Sequence, residues 1–245
     1  MASDEIDKAN KANEEYERYR RELGDDHPDT LGSLNNLGLL FCSKGEYDRA
    51  LPLFEECLEK RKHVLGDDHP DTLTSLNNLA LLFRSKGEYH HALPLFEECL
   101  ERRKRVLGDD HLITLGTLNN LAELFLFKRE YDRALPLYEE LLEKCKRVLG
   151  DDHPDTLKSL NNLGLLFCSK GKYDRALSLY EECLAKRKLV LGENHPDTLQ
   201  SLNNLGLLFY SKGEYDRALP LYQECLEKRK HVLGYDHPDT LGSLN

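Results

Sequence analysis

Six histidines, His27, His69, His111, His153, His195 and His237, recur every 42 residues, each near acidic residues such as Asp25, Asp26 and Asp29. Histidine among carboxylates is the raw material of a metal site or an acid–base pair. The recurrence argues against both. A single active site needs one constellation, whereas the same group repeated along the chain reads as a device for starting helices. His90-His91 lacks a neighbouring cysteine or carboxylate cluster and reads as solvated. Cys57, Cys99, Cys183 and Cys225 share one register, Cys42 and Cys168 share another, and Cys145 stands alone. Equivalent positions in stacked helices lie about 10 Å apart, beyond disulfide reach. No CxxC or HxxxH spacing occurs, so the cysteines read as small buried residues in a reducing cytosol. A phosphate-cradling glycine loop and a nucleophile motif are also missing. The residues therefore predict no enzyme, no catalytic residue, no metal and no cofactor.

The elements behind this spacing come from the period. Gly24, Gly66, Gly108, Gly150, Gly192 and Gly234 keep the same 42-residue interval. A fixed period in this range marks a stacked array, which offers a long surface to a partner. Five repeats are expected at 24–65, 66–107, 108–149, 150–191 and 192–233. Residues 1–23 read as a polar tail and a capping helix over Glu14–Leu23. Residues 234–245 read as the start of an incomplete sixth repeat. The formal charge is −10, which argues against nucleic acid or an anionic membrane as partner. No run of 18 apolar residues would span a bilayer, and the polar segment Met1 to Lys11 is no signal peptide, so a cytoplasmic location is expected.

Each repeat reads as two helices. Leu34, Leu37, Gly38 and Phe41 lie on one helical face. Pro28 suits the first position and Asp29 the positive first turn, so helix A should run from about Pro28 to Lys44, with Gly45 making the turn. Helix B should begin near Glu46, with Tyr47, Ala50, Leu51, Phe54, Cys57, Leu58 and Leu65 as its apolar stripe. Gly66 is expected to close it as a left-handed cap. Lys60, Arg61 and Lys62, interspersed with Glu55, Glu56 and Glu59, read as a solvated face. Pro52, Pro94, Pro136 and Pro220 fall inside helix B and predict a kink or a loosened first turn. No stretch has period two, so no strand is expected.

The pattern Leu37-Gly38-x-x-Phe41 followed by Ala50-x-x-x-Phe54-x-x-Cys57 resembles the tetratricopeptide repeat, with small residues where two helices cross closely. The longer helix B, the Leu-Gly-Asp-Asp-His-Pro-Asp-Thr link and Leu-Asn-Asn-Leu in helix A are similar to the repeats of kinesin light chains. They are similar also to arrays attached to nucleotide-binding signalling proteins. The resemblance covers residues 14–245. It implies an all-α superhelix, a solenoid of stacked antiparallel helix pairs, with helix A lining the concave surface. It also implies a non-enzymatic scaffold that binds an extended peptide of a partner protein, as a cargo adaptor does. Kinesin heavy chain or cargo would be a partner only if a longer form carries a coiled coil.

Within that frame helix A holds the candidate site. Asn35, Asn77, Asn119, Asn161 and Asn203 form one column. As an amide ladder facing the groove, each would offer a donor and an acceptor to a peptide backbone. The resemblance gives this first column its role, since the matching residue of kinesin light chains contributes to cargo binding. Asn36, Asn78, Asn120, Asn162 and Asn204 form a second column, expected to bond neighbouring helices and hold the stack. One turn on, Leu39, Leu81, Leu165 and Leu207 would make apolar pockets, interrupted by Glu123. Cys42, Arg84, Leu126, Cys168 and Tyr210 occupy the most variable position, where specificity could be encoded. The third repeat deviates most. Leu112-Ile113 replaces Pro-Asp, Phe127 replaces serine, and Arg129 replaces the turn glycine. Those apolar residues suggest a contact patch, and the lost glycine a strained turn. Three alternatives differ in class: a signalling array, a chaperone adaptor, whose carboxylate-gripping cations are represented here mainly by Arg84, and a self-associating array. A monomer or weak self-association is expected.

Overall fold

The computed structural model describes residues 2–234 and Thr240. Helix α1 (Ala2–Leu23) is followed by five pairs: α2 (Pro28–Ser43) and α3 (Tyr47–Leu65), α4 (Pro70–Ser85) and α5 (Tyr89–Leu107), α6 (Leu112–Phe127) and α7 (Tyr131–Leu149), α8 (Pro154–Ser169) and α9 (Tyr173–Leu191), α10 (Pro196–Ser211) and α11 (Tyr215–Leu233). The described residues contain no strand, and the fold is all-α, built of helix-pair repeats. They form two compact bodies, Met1–Leu124 and Phe125–Asn245, each described here by itself. The expected sixth helix A lies outside the described residues except for Thr240, which is helical and buried.

Among the described residues, the histidines of the 42-residue period are helix caps. His27 takes an extended conformation, and its Nδ1 accepts the backbone N–H of Asp29 at 3.2 Å, with Pro28 next in the chain. His69, His153 and His195 do the same. This satisfies one of the N–H groups a helix start leaves without an internal partner. Gly45 at φ 73° then turns the chain, and the Glu46 N–H returns to the Phe41 carbonyl at 2.9 Å.

Two expectations about helix limits change, the start of α1 and the closing glycine of helix B. Helix α1 starts at Ala2, not Glu14, because residues 2–13 contain no glycine or proline and are rich in good helix formers. Helix α3 runs unbroken through Pro52, and its first turn is doubled: the Glu46 carbonyl accepts from both Arg49 and Ala50. Gly66 closes the helix at φ 88°, but its ψ of 164° is extended, not left-handed helical. Only glycine occupies that region readily. No atom lies within 4 Å of where a Cβ would sit, so a substitution meets only backbone strain. Gly66→Ala should therefore cost about 1–3 kcal/mol in urea denaturation. Unchanged stability would mean that the link relaxes freely.

In the first body Leu37, Phe41, Phe54, Leu58, Leu73, Leu76 and Leu82 belong to one core cluster. Tyr16 of α1 joins Leu31, Leu34 and Cys57 in another, which is how α1 covers the first pair. In the second body Leu157, Leu160 and Cys183 pack together, and Leu199, Leu202 and Cys225 repeat the arrangement. Gly38 and Gly164 let the pairs close. A Cβ on either would stand 2.8 Å from the ring of Phe54 or Tyr180.

Cys57 is fully buried and its Sγ donates to the Leu31 carbonyl at 3.3 Å; Cys99, Cys183 and Cys225 make the same bond to Leu73, Leu157 and Leu199. Burial pushes the Cys57, Cys99 and Cys183 thiols up, so they stay protonated. All seven cysteines are free; Cys42 and Cys168 are half-buried.

The basic stripe on helix B is not wholly solvated. Arg61 is 7% exposed, and Arg103, Arg187 and Arg229 are buried with it. Arg61 Nη1 donates to the Asp71 carbonyl at 3.0 Å and to Ser75 Oγ at 2.8 Å, tying α3 to α4. Arg187 ties α9 to α10 the same way, through Asp197 and Ser201. Its neighbours Lys60 and Lys186 do lie on the outer surface, paired with Glu56 and Glu182. The arginine turns inward because the next helix A offers a first-turn carbonyl and a hydroxyl. In the third repeat Cys145 holds this position and meets Ser159 Oγ at 3.5 Å.

Arg129 is strained, as expected from the missing glycine. It sits at φ 59° and keeps the turn's shape, with the Glu130 N–H bonded to the Phe125 carbonyl at 2.9 Å. A left-handed non-glycine residue costs about 1–2 kcal/mol, part of which glycine returns as unfolded-chain entropy. Arg129→Gly should raise stability by about 0.5–1 kcal/mol, read by urea denaturation. A loss of stability would show that the arginine side chain holds the turn.

Candidate functional site

In each body the candidate site is the surface stripe of its A helices. Its two asparagine columns interlock. In the first body Asn78 Nδ2 donates to Asn35 Oδ1 at 3.0 Å, and Asn120 Nδ2 donates to Asn77 Oδ1 at 3.2 Å. In the second, Asn204 Nδ2 donates to Asn161 Oδ1 at 2.9 Å. Each bond joins the first column of one repeat to the second column of the next. Asn35, Asn77 and Asn161 are accordingly buried, while Asn119 and Asn203 are half-buried. This corrects the expectation of a ladder offering both donor and acceptor. Amides shielded together must satisfy each other, and these three place their oxygens on the stacking bonds between repeats. The second column carries the stacking bonds expected of it at Asn78, Asn120 and Asn204. Asn36 is exposed.

The leucine column lies at the surface. Leu39 is 43% exposed and Leu207 41%, and Leu81 and Leu165 are half-buried. The column stands one turn from the first asparagines on the same helices.

Glu123 and Arg84 find each other. Arg84 Nη1 donates to Glu123 Oε2 at 2.7 Å, and Asn119 Nδ2 donates to Glu123 Oε1 at 2.8 Å. Both side chains are mostly shielded, at 18% and 24% exposure. Arg84 is thus not a lone cation awaiting a terminal carboxylate, which removes the chief support for a chaperone clamp. The pairing was missed in the sequence. Its signal was two departures from the repeat at positions that become neighbours only across a junction.

At the variable position Leu126 and Cys168 are half-buried, and Tyr210 is exposed with its ring 5.3 Å from that of Tyr215. Leu112, Ile113 and Phe127 are all exposed. Leu112 and Phe127 begin and end α6, about 22 Å apart at 1.5 Å per residue, so they form no single patch.

Among the described residues no group of three or more His, Cys, Asp or Glu could hold a metal ion. A depression of about 350 Å³ in the second body is lined by Arg129, Glu130, Tyr131, Asp132, Arg133 and Lys170. It lies at the turn between helices, away from the stripe. Four of its five charged groups pair within it, Lys170 with Asp132 at 2.6 Å and Arg133 with Glu130 at 2.9 Å. No described helix is long and apolar enough to cross a membrane.

The family model described as Tetratricopeptide repeat matches residues 12–62, 29–105, 85–143, 113–189 and 167–231. Among curated proteins no sequence match is found. Among solved structures, BtubC (BKLC) from P. vanneervenii is 26% identical with a TM-score of 0.76, over 96% of this chain and 94% of that one. A Podosopora anserina putative kinesin light chain with nearly identical TPR-like repeats is 23% identical with a TM-score of 0.70, over 84% and 98%. NprR in complex with its cognate peptide NprX is 20% identical with a TM-score of 0.68, over 95% and 65%.

Proposed function

Because the chain belongs to the tetratricopeptide repeat family, we propose that it is a non-enzymatic scaffold that takes an extended peptide segment of a partner protein along its A helices. The observation that carries the reading is the leucine column. Leu39 and Leu207 remain 43% and 41% exposed although each sits on a helix with a well-filled core side. Exposed leucines one turn from polar amides suit a segment that lays spaced apolar side chains along the A helices. NprR, of similar fold, was solved with its cognate peptide. None of the comparisons points to a catalytic family.

The finer reading is an adaptor of the kinesin-light-chain kind, acting in the cytoplasm, where free buried thiols stay reduced. The fold likeness to the Podosopora anserina protein supports it. A motor as partner requires a coiled-coil segment in addition to these repeats.

Selection from a random displayed peptide library on the full chain tests the proposal. Enrichment of linear peptides carrying spaced apolar residues is the expected result. A selection that enriches no peptide above an unrelated helical protein would overturn it.

A further inference from the structure

The near-identity of the repeats poses a problem of self-recognition. In the first body the junction of the first and second repeats uses Asn78 on Asn35 and Arg61 on Ser75. The junction of the second and third uses Asn120 on Asn77 and Arg103 on Thr117, which is the same chemistry. Such faces are interchangeable. A face of one repeat would accept the wrong repeat, or the same repeat of a second copy, with most bonds intact.

One contact breaks the equivalence. Where the first junction has Cys42 and Leu81, the second has Arg84 and Glu123. In the second body the corresponding positions hold Leu126 with Leu165 and Cys168 with Leu207, again apolar. The shared Lys–Asp bridge also differs. Lys86 meets Asp48 at 3.1 Å, and Lys170 meets Asp132 at 2.6 Å, whereas the second repeat has His90 at the aspartate's position.

We infer that the Arg84–Glu123 pair is a register lock, which makes the facing surfaces of the second and third repeats specific for one another and disfavours out-of-register stacking, within one chain or on a second copy of it. The lock works by penalising mismatch. Paired, both carboxylate oxygens are satisfied, by Arg84 and Asn119. Mispaired, Arg84 would face leucine and Glu123 would face cysteine, leucine or tyrosine, each charge largely shielded from water and without its charged partner. A polar pair in an otherwise apolar column fixes register in coiled coils by the same means.

The test is refolding of the full chain from denaturant at high protein concentration under reducing conditions, followed by sizing with light scattering. Arg84→Leu/Glu123→Leu copies the Leu126 and Leu165 junction. Arg84→Glu/Glu123→Arg keeps a pair with reversed sign. The unaltered chain should refold as monomer. The apolar variant should show roughly a tenfold higher ratio of dimer to monomer, and the reversed pair should return the ratio to that of the unaltered chain. The inference is refuted if the apolar variant refolds as the unaltered chain does, or if the reversed pair dimerises like the apolar one. Because the reversed pair restores pairing without restoring sequence, recovery of the monomer is owed to the pair and not to either residue's identity.

Discussion

Replacing Arg187 with alanine should lower the unfolding free energy by about 3 kcal/mol, the largest single-site loss expected outside the aromatic core. Two effects oppose each other. Removing the side chain deletes a desolvated charge, and buried charges are weak contributors when compared with well-packed apolar replacements. Alanine is not such a replacement. It leaves a cavity between α9 and α10. It also removes the donor that the Asp197 carbonyl and the Ser201 hydroxyl now accept from, Arg187 Nη1 at 2.7 and 2.8 Å, leaving Ser201 only Cys183 Sγ at 3.5 Å. Each lost partner costs about 1–3 kcal/mol and the cavity adds to that, which outweighs the relief of one guanidinium. Arg187→Met should recover part of the loss by filling the space. Urea denaturation with matched m-values reads both. A loss under about 1 kcal/mol for alanine would show that relief of desolvation dominates and that the arginine staple is energetically idle.

A second large effect is expected on binding with little on stability. Leu39→Gln, Leu81→Gln, Leu165→Gln and Leu207→Gln together should weaken a selected peptide by more than about a hundredfold, since burying one leucine fully is worth about 1.5–3 kcal/mol. Unfolding should change far less than for a core substitution, because Leu39 and Leu207 are already exposed and the other two half-buried. Fluorescence anisotropy of a labelled peptide and thermal unfolding of the same samples separate the two quantities. Undiminished affinity would place the peptide elsewhere, on the outer face of the B helices or at the turns.

Helix limits were legible where local chemistry is decisive. His27-Pro28-Asp29 starts α2, and Gly45 ends it, because proline, an acceptor side chain and a left-handed residue act within a few positions. Arg129 was legible for the same reason: the glycine it replaces has a fixed backbone role. What escaped the sequence depends on the neighbouring repeat. Arg61 reads as one of three surface cations, and only α4, with the Asp71 carbonyl and Ser75, turns it inward. Asn35 sits on the helix face expected of a ligand contact, and only Asn78 of the following repeat consumes its oxygen. The start of α1 escapes the pattern because its first residues lack an apolar stripe and rest on intrinsic helix preference.

Hydrogen–deuterium exchange of the full chain, with and without a library-selected peptide, tests the central claim most directly. The account predicts added protection confined to α2, α4, α8 and α10 among the helices that carry the leucines, with α3, α5, α9 and α11 unchanged. Protection concentrated on the B helices, with the A helices unaffected, would contradict it.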